Sequence, residues 1–159
     1  TYFDQGSRFK KIYSVDHLFL RGIYTSQKRA SVSQEVLSAL DRYVSEGYYT
    51  LIYDNSPMLH YLTQTKPYAY NPWLYLYDKD LLQEALSRAG RERQALPVVV
   101  LQKFKGLWID WPDGYSDDYM ANDANKGKNL LINRFLHKNK YLKIWTNGYY
   151  EIWLPKYEK

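Results

Sequence analysis

Residues 96–102 read "LPVVVLQ". A continuous apolar run of this length is the pattern of a central parallel strand covered on both faces. On its amino side, "DKDLLQEALSRAG" (78–90) reads as an amphipathic helix. Asp78 is the cap, Leu81, Leu82, Ala85, Leu86 and Ala89 form the apolar stripe, and Gly90 is the stop. Further upstream, "YYTLIY" (48–53) is β-branched and aromatic, as strands are. Before it, Val36, Leu37, Leu40, Tyr43 and Val44 recur at helical spacing. Ser31 and Gln34 match a capping box for that helix, with Gly47 as its stop. The aromatic and basic segment 1–24 suggests a strand near "FKKIYSV" or "LRGIY". On the carboxyl side come a loop over 104–128, a helix "NLLINRFLHKN", and two strands around Asn147-Gly148, a strong hairpin signal. This order predicts a single α/β domain over 1–159. It has three layers and a small mixed sheet, parallel at its centre, with the Asn-Gly hairpin at its edge.

The totals bound the function. A chain of 159 residues is long enough for one proper core. It has no cysteine, which excludes disulfides and thiolate metal sites. No apolar run approaches the roughly 20 residues that span a bilayer, so the chain by itself reads as soluble. Its opening at "TYFDQG", without a methionine, reads as a piece of something longer. The net charge of +5 permits anionic partners, but the bases are spread along the chain. Tyrosine is in excess, with 18 copies, and suits both half-buried core edges and binding surfaces.

The stretch after the 48–53 strand is the most unusual. "NSPMLHYLTQTKPYAYNPW" (55–73) holds three prolines, three tyrosines and a tryptophan, with no carboxylate. Ligand crevices of open α/β sheets lie at the carboxyl ends of strands, which is where this stretch begins. Ser56 and Pro57 resemble Ncap and N1 of a short helix "PMLHYLT", whose first N–H groups form a weak anion site. Asn55, Ser56, Pro57, Tyr61, Tyr68, Tyr70 and Trp73 are the candidate binding residues. The competing reading is structural: the loop closes the sheet edge or packs against another body.

Catalytic signatures are missing. No phosphate-cradling glycine fingerprint, G-x-S-x-G elbow or H-E-x-x-H can be written, and no catalytic residue is assigned. His17, His60 and His137 are isolated, and His60 reads as a packing or capping group. Asp110, Asp113, Asp117, Asp118 and Asp123 crowd one loop. Their spacing is not that of a calcium-binding EF-hand, and a solvated, turn-rich loop is the better reading, so no metal or cofactor is expected. Trp108, Asp110, Trp111, Asp113 and Tyr115 have the makeup of a glycan-contacting patch, with flat rings for a pyranose face and carboxylates for its hydroxyls. Nucleic acid is not expected. The bases nearest to a cluster include Arg134 and Lys138, which read as a solvated face opposite Leu131 and Phe135.

Three pieces carry a resemblance: "GIYTSQKRASVSQEVLSALDRYV", "LIYDNSPMLHYLTQTKPYAYNPWLY" and "FLHKNKYLKIWTNGYYEIWLP". Their order resembles the soluble C-terminal portion of bacterial multi-spanning glycosyltransferases of the GT-C type. These depend on polyprenyl-phosphate sugars and are related to protein O-mannosyltransferases and the aminoarabinose transferase of lipid A. The family pattern N-x-P-x-L-Y-Y-L-T is matched by Asn55, Pro57, Leu59, Tyr61, Leu62 and Thr63, with His60 where an aromatic is expected. Pro67, Tyr68, Asn71, Pro72 and Trp73 match its P-Y and N-P-W. The resemblance implies a non-catalytic domain on the periplasmic face of the inner membrane. Such a domain covers the membrane-facing active site or helps select the lipid-linked sugar or acceptor. Its partner is then the transmembrane part of the same polypeptide, with a polyprenyl-phosphate sugar or glycan acceptor nearby. The alternative is a free-standing extracytoplasmic carbohydrate-binding module.

Overall fold

The structure, a computed structural model, describes residues 7–53, 55–104 and 125–156. The apolar run at 98–102 is a strand, β5 (Val98–Gln102), with all five residues buried. It lies in a five-stranded sheet of order β4-β3-β5-β7-β6. β3 (Tyr49–Tyr53), β4 (Lys66–Pro67) and β5 run parallel, with β3 in the middle of the three. β7 (Tyr150–Pro155) pairs antiparallel with β5, and β6 (Tyr141–Thr146) closes that edge. The fold is therefore the expected mixed sheet of an α/β domain. The aromatic segment contributes a separate two-stranded ribbon, β1 (Tyr13–Ser14) with β2 (Tyr24–Thr25).

Alternation along the strands sends side chains into two cores. Ile52, Val98, Val100 and Ile152 face one layer with Val36, Leu37 and Leu40 of α1 (Gln27–Leu40), joined by Leu59 and Leu62 of α2 (Met58–Leu62). Leu51, Tyr53, Val99 and Leu101 face the other layer. There they meet Leu82, Ala85 and Leu86 of α3 (Lys79–Glu92), and Ile132 and Leu136 of α4 (Lys126–Lys138). A strand with helices on both sides has no solvated face, which is why β5 reads as unbroken apolar sequence.

Several boundaries differ from the expectation. α1 starts at Gln27, where Ser26 accepts from the Arg29 amide at 3.5 Å. Ser31 is inside the helix and donates to Glu35 at 2.9 Å, so it forms no capping box. The Gln-Lys-Arg-Ala run before it favours helix, so the earlier serine takes the cap. Gly47, at φ +80°, shapes the turn into β3 rather than the helix end. Asp78 does cap α3, accepting from Leu81 N at 2.8 Å. That helix runs through Gly90 to Glu92, and Leu81 is half exposed rather than part of the buried stripe. In the hairpin, Asn147 Oδ1 accepts from both Tyr149 N and Tyr150 N, and Gly148 takes φ +84°.

Candidate functional site

The candidate residues of 55–73 divide over three places. The first is the carboxyl end of β3 and β5. From β3 the chain turns to α2 in one layer; beyond β5 it leads to α4 in the other. In open α/β sheets such a divergence marks the usual place of a ligand crevice between the two strand ends. Ser56 sits there, donating to Gln102 Oε1, with the Tyr150 hydroxyl 3.1 Å from the same Ser56 oxygen. Gln102 Nε2 donates to Phe104 O at 2.5 Å. Trp73 Nε1 donates to Asn55 Oδ1, tying the two ends of the loop together. Burial pushes the Tyr150 phenol up to about 12, with the bond to Ser56 opposing only in part. The Ser56 side chain is thus spent on the crevice; Pro57 occupies the cap position of α2 without a side-chain bond. Ser56→Ala leaves Gln102 Oε1 and the Tyr150 hydroxyl without this partner and is expected to cost about 1–3 kcal/mol. A shift in the urea midpoint worth less than about 0.5 kcal/mol would show that the cluster does not hold these strand ends.

The second place is α2. Leu59, His60 and Leu62 are buried, whereas Met58 and Tyr61 are exposed. The Tyr61 ring packs on Phe19 at a centroid distance of 5.1 Å. His60 Nδ1 lies 3.0 Å from Thr50 Oγ1, which in turn lies 2.8 Å from Thr65 Oγ1. Burial holds the imidazole down at about 4, so it is neutral and structural at ordinary pH.

The third place is a cleft of about 770 Å³ between α3 and α4. Its floor includes Tyr68, which is 1% exposed. Arg93 at the end of α3 is enclosed by three rings, with its guanidinium 3.9 Å from Tyr49, 4.5 Å from Tyr70 and 5.2 Å from Tyr68. Its Nη1 donates to Pro67 O at 2.8 Å. Tyr70 holds a left-handed backbone at φ +68°, costly for a side chain of its size. Its hydroxyl donates to Glu92 at 2.5 Å, and Arg88 binds the same carboxylate at 2.7 Å. Those two hydrogen bonds pull the Glu92 carboxyl below its ordinary range. The cleft also takes in Arg91, Arg134 and Lys138. Leu131, Arg134, Phe135 and Lys138 form one stripe of α4, so the bases stand beside the apolar residues, not opposite them.

Sequence reading missed Arg93, Arg91 and Tyr49; the basic run "RAGRER" at the end of α3 was the available signal. The glycan patch of Trp108, Asp110, Trp111, Asp113 and Tyr115, like the rest of the acidic loop, lies outside the described residues. Among the described residues, no three histidines or carboxylates converge as a metal site would require. None of their helices is long and apolar enough to cross a membrane. No family model, curated protein or solved structure matches this chain.

Proposed function

We propose that the chain is a non-catalytic domain of a membrane glycosyltransferase, on the extracytoplasmic face. It docks on the membrane-embedded part of the same polypeptide and covers the active site or helps select its substrates. The family motif at 55–73 supports this reading, and one structural observation carries it: the apolar side chains left outside the core. Phe9 is 93% exposed; Ile12, Leu18, Ile23 and Tyr24 are also largely exposed. Met58 and Tyr61 on α2 are exposed as well, and the Tyr61 ring touches Phe19 of the 9–24 segment. Large exposed apolar patches mark a contact with another body. Covering the exposed Phe9, Ile12, Leu18, Ile23 and Met58 side chains gains roughly 1.5–3 kcal/mol each.

The test uses the natural polypeptide that carries this sequence. It is expected in the membrane fraction, resistant to alkaline extraction. A double change Met58→Asp and Tyr61→Asp should then lower sugar transfer from a polyprenyl-phosphate donor at least tenfold. Circular dichroism of the 159-residue chain should be unchanged by the same pair. Recovery of the natural polypeptide as a soluble protein, or normal transfer by the inserted double variant, overturns the proposal.

A further inference from the structure

The cleft between α3 and α4 lies in the layer opposite α2, away from the apolar surface described above. Four cations line it: Arg91, Arg93, Arg134 and Lys138. No carboxylate lines it among the described residues. The neighbouring carboxylate, Glu92, is already bound by Tyr70 and Arg88. Arg91, Arg134 and Lys138 make no ion pair with a described residue, although the Arg91 charge is felt by the Glu92 carboxylate. Like charges gathered around one concavity raise the local concentration of anions.

The floor gives a second, independent sign. The Tyr68 hydroxyl makes no hydrogen bond to a described residue, although the residue is almost fully buried. A buried hydroxyl without a partner is rare and costly. It points toward Gly90, where an added Cβ would meet only this oxygen, at 4.0 Å. Burial first, against the opposing field of Arg93, raises the phenol above its ordinary range, so it stays protonated and can donate. Gly90 itself breaks a local rule, since glycine inside a helix costs about 0.5–1 kcal/mol relative to alanine. Its effect is to leave the cleft open where any side chain would enter it. Leu86, Leu96, Leu131 and Phe135 supply the apolar walls.

We propose that this cleft binds a phosphoryl-bearing ligand whose remaining part is apolar or flat. Arginine forks match phosphate oxygens in pairs. A monovalent carboxylate would leave most of the four cations uncompensated, whereas a phosphate or pyrophosphate carries the higher charge they call for. Arg93, already fixed by the Pro67 carbonyl and three rings, is the preorganised member of the set. The volume falls within the range of small-molecule sites. The phosphoryl group can belong to a soluble molecule, such as a sugar phosphate or nucleotide, or to a lipid headgroup.

The experiment titrates the 159-residue chain with inorganic pyrophosphate and adenosine diphosphate, and separately with phosphatidylcholine vesicles with and without polyprenyl phosphate. Binding of the soluble probes assigns the site to free phosphorylated molecules; binding only to polyprenyl-phosphate vesicles assigns it to a headgroup. Either binding should fall roughly 10- to 100-fold in Arg134→Glu, the loss of one charge-assisted contact. Gly90→Leu, which fills the cleft at an unstrained position, should abolish it. Arg42→Glu, an equal charge change at an exposed site after α1, should leave it intact. Three results overturn the proposal: no binding of any probe, full binding by folded Gly90→Leu, or equal losses in Arg134→Glu and Arg42→Glu. If Gly90→Leu does not fold, the Arg134→Glu and Arg42→Glu pair decides alone. None of these outcomes depends on membrane docking, and failure of docking leaves them unchanged.

Discussion

Leu82→Ala is expected to lower the unfolding free energy by about 3 kcal/mol, while Leu81→Ala should stay within about 0.5 kcal/mol of the parent. The two leucines are neighbours, chemically identical, and both belong to the apolar spacing of α3. Leu82 is 0% exposed and packs among Val99, Leu101 and Ile132, between the sheet and α4. Removing its isobutyl group leaves a cavity that rigid strands on one side and a helix on the other cannot close. Leu81 is 50% exposed, so water fills what its truncation leaves. Urea unfolding of both variants at equal m-value checks the contrast. Comparable losses would mean that α3 is rotated from the orientation described.

That pair shows what was legible and what was not. Leu82 sits at the centre of the buried stripe with Ala85, Leu86 and Ala89, whereas Leu81 lies about 100° round the helix, at the stripe's border. Apolar character alone admitted both, and only the width of the surface that the sheet and α4 cover leaves Leu81 out. β5 was readable because burial on both faces removes every polar residue before Gln102, and the last polar side chain satisfies itself on Ser56 and Phe104. Asp78 was readable because an N-cap is a local contact; the capping-box match of Ser31 with Gln34 misplaces the cap of α1, because the helix-favouring Gln-Lys-Arg-Ala run that follows Ser26 outweighs it. The cleft is a different case. Its parts come from residue 68, the 83–96 region and the 131–139 region, brought together only by the packing of α3 on α4. Periodicity could have placed Arg134 between Leu131 and Phe135 on one stripe; it could not have supplied Tyr68 beneath it. Similarly, the tyrosines of 55–73 look equivalent in sequence, yet one is a buried floor, one braces Glu92 and one is exposed on α2.

The stability of the chain is expected to fall by roughly 3 kcal/mol between pH 6.5 and pH 4 through His60 alone. The imidazole is 6% exposed, and burial holds its pKa at about 4 in the folded chain against 6.5 in the unfolded one. The sign follows directly. Above pH 6.5 both states carry a neutral imidazole, and His60 contributes no pH dependence. Below 6.5 the unfolded chain takes up a proton that the folded chain refuses, so unfolding is favoured increasingly until about pH 4. Below that both states are protonated, and the loss from this group stops growing. Thr50 and Thr65 bond to each other at 2.8 Å without help from the ring, so His60→Phe leaves their hydroxyls paired. Carboxylates such as Glu92, held below its ordinary range, add their own acid-side loss, but they do so equally in both proteins. The difference between the parent and His60→Phe therefore isolates the histidine. Urea unfolding at pH 7 and pH 4.5 should show the variant gaining roughly 2–3 kcal/mol on the parent at the lower pH. Parallel losses in the two proteins would mean that the imidazole is already hydrated in the folded chain, and that α2 is not sealed against β3 as its buried Leu59, His60 and Leu62 require.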